Sequence, residues 1–140
     1  AGYFLTPFGD EPEYESVSRF VAARTDDNDR VLVWGNVPEI YWASGVRPAT
    51  RYIATQSLLA ENHAGRGEAP QPDELDPQVW TWFFRDLRRH PPKFIVDTSD
   101  THIRGADRSP MSHYPRLERY VNEHYRFVRT IDGLDVYVRT

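Results

Sequence analysis

Two short stretches of this chain are apolar without alternation, Val31-Leu32-Val33-Trp34 and Phe94-Ile95-Val96. An alternating strand hides one face, but a strand apolar on both faces has to be covered on both. Such runs belong to buried, usually parallel strands with helices above and below. The rest of the chain supplies the covers. In residues 13–25, Tyr14, Val17, Val21 and Ala22 recur near helical spacing with Phe20 alongside, which predicts an amphipathic helix. Asp26-Asp27-Asn28-Asp29 breaks it before the strand Arg30–Gly35. Pro38 to Ser44 reads as a short helix with Asn36 or Val37 at its N-cap and Gly45 at its stop. Arg51-Tyr52-Ile53-Ala54 reads as a second strand.

Residues 73–90 carry the clearest helical pattern. Asp76 and Pro77 mark its start, Val79, Trp80, Phe83, Phe84 and Leu87 form its stripe, and Pro91-Pro92 ends it. Lys93–Asp97 is the third strand, residues 98–112 a polar loop, and residues 113–124 a last helix with Leu117, Tyr120 and Val121 inward. Tyr125–Ile131 and Leu134–Arg139 then alternate around Asp132-Gly133, a pair suited to a type I′ turn with positive φ at both positions. Helices alternating with strands predict an α/β domain. Its central sheet is expected to be largely parallel with helices on its faces, Rossmann-like in layering, and to end in an antiparallel hairpin.

At 140 residues the chain suits one domain. We place it at residues 13–140, behind a lead-in at 1–12 whose Tyr3, Phe4, Leu5 and Phe8 read either as a tail packed on the domain, the plainer reading, or as the kind of aromatic segment that collects at membrane interfaces. Residues 55–72, with Gly65, Gly67, Pro70 and Pro72, read as a loop excursion. A start at Ala1 without Met makes an excised piece of a longer protein the expectation. The net charge of -4 argues against a surface built to neutralise phosphates, so nucleic acid is not expected as a partner. Cysteine is absent, which excludes disulfides, thiolate metal sites and cysteine nucleophiles. No apolar run approaches the ~20 residues of a membrane helix.

Open α/β sheets bind ligands beyond the carboxyl ends of their strands. Two polar clusters fall there: Asn36 and Glu39 after the first strand, and Asp97 and Asp100 after the third. Together they make a candidate ligand crevice in which carboxylates hold a cation or a sugar hydroxyl. The plainer reading is that Asp97 and Ser99 cap a turn. A second group, Tyr41, Trp42, Arg47, Arg51 and Tyr52, mixes aromatics with guanidinium groups, as sites that stack sugars or clamp phosphates do; it also reads as ordinary core and rim. Only Gly35 stands where a dinucleotide fingerprint needs three glycines, and Gly65-Arg66-Gly67 lacks the lysine of a P-loop. His63, His90, His102, His113 and His124 show no zinc spacing, and no metal site or catalytic residue is assigned.

The segment from Val31-Leu32-Val33-Trp34-Gly35 through Pro38, Tyr41 and Arg47-Pro48-Ala49-Thr50-Arg51-Tyr52 is distinctive. So are Pro91-Pro92-Lys93-Phe94-Ile95-Val96-Asp97, Tyr114-Pro115-Arg116-Leu117 through Tyr125, and Val136-Tyr137-Val138-Arg139. In this serial order, over roughly residues 12–140, they resemble the soluble C-terminal domain of bacterial multi-spanning GT-C class glycosyltransferases, relatives of the dolichyl-phosphate-mannose protein mannosyltransferases. The resemblance implies an extracytoplasmic accessory domain on the cytoplasmic membrane of a bacterium. Its partners would be the membrane-spanning part of the same polypeptide, a polyprenyl-phosphate-linked sugar and an acceptor. The catalytic carboxylates of that class lie in a loop near the first membrane helices, so the resemblance assigns none here. It implies no cofactor in this chain, and a divalent cation at most for the full enzyme. Three rival readings stand beside it: a module binding carbohydrate or a nucleotide-like ligand, a small enzyme using Asp97 and Asp100, and a non-catalytic docking scaffold.

Overall fold

The computed structural model describes residues 13–58 and 76–140. The lead-in at 1–12 and most of the excursion at 55–72 lie outside them. The described part is a mixed α/β fold around one five-stranded sheet of order β2-β1-β3-β5-β4. The strands are β1 (Arg30–Trp34), β2 (Arg47–Pro48), β3 (Phe94–Asp97), β4 (Tyr125–Ile131) and β5 (Leu134–Arg139). The helices are α1 (Glu15–Ala22), α2 (Glu39–Ser44), α3 (Thr55–Leu58), α4 (Pro77–Arg89) and α5 (Pro115–His124). No helix among the described residues is long and apolar enough to cross a membrane.

The two unbroken apolar runs become the two central strands. β1 and β3 pair in parallel, Val31 opposite Phe94 and Trp34 opposite Asp97. Alternation then sends successive residues to opposite faces. Leu32, Trp34 and Ile95 pack with Phe83, Phe84 and Leu87 of α4 and Leu117 and Val121 of α5. Val31, Val33, Phe94 and Val96 pack with Val17 and Val21 of α1 and Ile40 and Tyr41 of α2.

The helix boundaries have local causes. The Asp76 carboxylate accepts the Gln78 N–H and Pro77 fills the first helical position of α4, leaving one fewer donor to satisfy at that end. Gly45 stops α2 in the left-handed region, φ 73°. The α2 N-cap is Pro38, without a side-chain cap bond, so neither Asn36 nor Val37 serves there. Asp132 (φ 52°) and Gly133 (φ 84°) make the expected tight turn.

Three expectations are corrected. The sheet is mixed rather than largely parallel: β2, β1 and β3 run parallel, but β5 pairs antiparallel to β3 and β4 antiparallel to β5. The second strand is Arg47–Pro48, not Arg51–Ala54. There the backbone donors are spent elsewhere, Arg51 N–H on the Asp86 carboxylate (3.0 Å) and Tyr52 N–H on the Thr50 hydroxyl (3.2 Å). Finally, the polar loop at 98–112 is not irregular throughout: Ile103–Arg108 is 3₁₀-helical on either side of a kink at Arg104 and Gly105, and a further 3₁₀ turn, Met111–His113, begins at its end; Ala106 and Met111 are buried and draw the chain onto the domain.

Candidate functional site

β2 lies on one side of β1 and β3 on the other, so the carboxyl ends of β1 and β3 form the point where α/β sheets usually open a crevice. Here it is filled. Gly35 leaves β1 at φ 143°, and a Cβ on it would lie 1.9 Å from the Thr98 hydroxyl. Thr98 donates that hydroxyl to the Trp34 carbonyl (2.9 Å), and Gly35 N–H donates to the Thr55 hydroxyl (2.6 Å). Arg104 closes the top. Its guanidinium donates to the Asn36 carbonyl (2.8 Å) and to both carboxylate oxygens of Glu39, and its carbonyl accepts from the Asn36 amide (3.3 Å). A void of about 10 Å³ remains. The Arg104 pair holds the Glu39 carboxyl below its ordinary pKa.

An open crevice lies one strand further on. It measures about 230 Å³, and its wall includes Asp97, Asp100, Asp135, Tyr137, Ser112 and Asn122. β3 and β5 set its floor: Asp97 pairs with Asp135, and Ile95 with Tyr137, and directly paired residues project to the same face. Asp97 accepts from Ser99 twice, from the N–H (2.9 Å) and the hydroxyl (2.6 Å). Burial nevertheless pushes its carboxyl upward against those bonds. Asp135 rises further, to about 6, through burial, a hydrogen-bonded contact with Asp100 and the like charges of Asp100 and Asp97, opposed by the Thr130 hydroxyl.

The structure thus brings Asp97 and Asp100 together and places Asn36 and Glu39 in the Arg104 latch instead. Asp97 also caps its turn, so the plain reading of Asp97 and Ser99 holds alongside the crevice. The sequence reading missed Asp135 and Tyr137. The alternation of Leu134-Asp135-Val136-Tyr137 puts them on one face, but nothing in it names the strand beside them.

The aromatic and cationic group splits: Tyr41, Trp42 and Arg47 share one groove, and Arg51 and Tyr52 do not line it. Tyr41 is buried and its hydroxyl accepts the Val33 N–H (2.9 Å); burial pushes its pKa up. Arg51 is held by both Asp86 oxygens (2.9 Å each), which lowers the Asp86 carboxyl's pKa. Tyr52 leans on Phe83 in the core. Trp42, 72% exposed, and Arg47 line a shallow apolar groove of about 410 Å³ with Tyr41 and Ile53, and Arg47 donates to the Asp27 carbonyl (2.8 Å). Among the described residues, no group of three or more His, Asp or Glu is arranged to hold a metal ion.

Compared with known proteins, the chain matches no family model, no curated protein and no solved structure.

Proposed function

We propose that this chain is the extracytoplasmic domain of a bacterial membrane glycosyltransferase that uses a polyprenyl-phosphate-linked sugar, and that within it the domain holds sugar rather than transfers it. The serial order of its distinctive segments supports the first half. On that reading the layers are Rossmann-like, the membrane-spanning part of the polypeptide is the partner, and the transfer chemistry and any divalent cation belong to that part.

The crevice at the carboxyl end of β3 carries the second half. Carboxylates accept hydrogen bonds and sugar hydroxyls donate them, and charged acceptors make the stronger bonds. Ser112 and Asn122, which also line it, can donate back, and Tyr137 adds an aromatic surface. The test is to offer the purified 140 residues a polyprenyl-phosphate sugar with acceptor, and separately to titrate them with free sugars by NMR. No transfer, with saturable shifts at Asp97, Asp100 and Asp135, is the expected result. Transfer by the domain alone would sink the proposal.

The gathering of Asp97, Asp100 and Asp135 on one crevice favours a second reading. Glycoside-cleaving enzymes set a carboxyl with a raised pKa, as burial and like charge make Asp135's, beside a second carboxylate. Hydrolysis of a glycan by the purified domain, abolished in Asp135→Asn, would establish that reading.

A further inference from the structure

We infer that the crevice is one end of a longer cleft whose ligand is an uncharged glycan of at least two sugar rings, with Phe127 stacking against the ring furthest from Asp97. The inference rests on the reading of the crevice as a carbohydrate site and adds the ligand's length and charge. Its carrier is the register of the hairpin. Phe127 of β4 is paired directly with Tyr137 of β5, so both rings stand on the crevice face. Their centroids are 5.8 Å apart, one ring's edge toward the other's face. Tyr137 lines the crevice, and Phe127 continues the floor outward while 53% exposed.

Geometry decides the length. From Asp97 to Phe127 is two strand spacings across and two residues along, about 12 Å. One ring hydrogen-bonded at the aspartates cannot also cover Phe127, whereas a chain of two or three rings can.

Charge narrows the class by ruling out anions. Asp97, Asp100, Glu118 and Asp135 all line the crevice, and no Lys or Arg is among its lining residues. Phosphates, nucleotides and acidic sugars are repelled there. The crevice therefore suits the acceptor glycan rather than the phosphate end of a lipid-linked donor. Strand pairing with a second copy is a poorer account of Phe127, since β4 carries a bulge between Phe127 and Arg129 and exposed Arg126 and Arg129, all features that blunt an edge.

The experiment is an NMR titration of the 140-residue protein with glucose and mannose and with their disaccharides and trisaccharides, repeated on Phe127→Ala and Phe127→Tyr, with sedimentation to read the oligomeric state. Affinity should rise from one ring to three. Phe127→Ala should weaken trisaccharide binding about fivefold, the loss of one aromatic contact, leave monosaccharide binding unchanged, and be rescued by Phe127→Tyr. Equal affinity for one and three rings, or a silent Phe127→Ala, overturns the inference while the crevice reading stands. Dimerisation abolished by Phe127→Ala also overturns it and assigns the ring to self-association. No response to any sugar overturns both readings.

Discussion

Replacing Asp135 by Asn isolates the charge that the crevice holds against its will. The Asp135 carboxyl rises from 3.8 to about 6 on folding. At about 1.4 kcal/mol for each pH unit, that difference sets a ceiling of ~3 kcal/mol. The group is partly open to solvent, so screening reduces the effect to about 1 kcal/mol. The sign follows from proton counting. Between pH 3.8 and about 6 the folded protein keeps a proton that the unfolded chain releases, so stability falls as pH rises through that window, and the cost is fully present above it. Asn is neutral throughout. Its carbonyl keeps the bond from the Thr130 hydroxyl (2.6 Å to Asp135), and its amide can donate toward Asp100 where a second carboxylate could only repel. Asp135→Asn should therefore stabilise the protein by about 1 kcal/mol at pH 7.5 and by nearly nothing at pH 4, with the slope of the urea transition unchanged. Urea unfolding followed by tryptophan fluorescence at the two pH values measures both. Equal stabilisation at the two pH values, or destabilisation at pH 7.5, would refute the electrostatic reasoning.

Three further changes test the frame around the site. Gly35→Ala places a Cβ 1.9 Å from the Thr98 hydroxyl at φ 143° and should cost about 3 kcal/mol or more in thermal unfolding; Thr98→Ala added to it should recover part of the loss, and no recovery would show that the clash is not the cause. Asp86→Asn should lower Tm at neutral pH. Because Arg51 holds the Asp86 carboxyl low, that stabilisation is present above the carboxylate range and is lost as pH falls through the folded pKa, so the gap between variant and parent should close in acid. Trp34→Phe removes a buried donor bonded to the Ser109 carbonyl (2.7 Å) and part of an aromatic cluster with Phe83 and Tyr114; a loss of about 2 kcal/mol in chemical denaturation is expected.

Much of the fold could be read locally. The Asp76-Pro77 start, the Gly45 stop and the Asp132-Gly133 turn are decided by φ preferences and by donors within a few residues, and each stands where the sequence puts it. Arg51–Ala54 failed because its pattern was apolar enough for a strand, while Asp86, thirty-five residues away in sequence, claimed the backbone. Half of the candidate site failed for the same reason. Asn36 and Glu39 do follow β1, but Arg104, sixty-five residues beyond Glu39, reaches back to bind them. Asp97 and Asp100 remained together because only two residues of turn, Thr98 and Ser99, separate them.

By itself, the sequence determined which segments are buried on two faces, where helices begin and end, and that the last two strands form a hairpin. These depend on periodicity and backbone preference, which act within a turn or a strand. Only the tertiary structure decided that β5, rather than another strand, lies against β3. That pairing sets Asp135 opposite Asp97 and Tyr137 opposite Ile95, and so moves the open crevice one strand away from the point where the order of elements predicts it. Strand neighbours are chosen by which faces pack best over the whole core, and no local pattern records that choice.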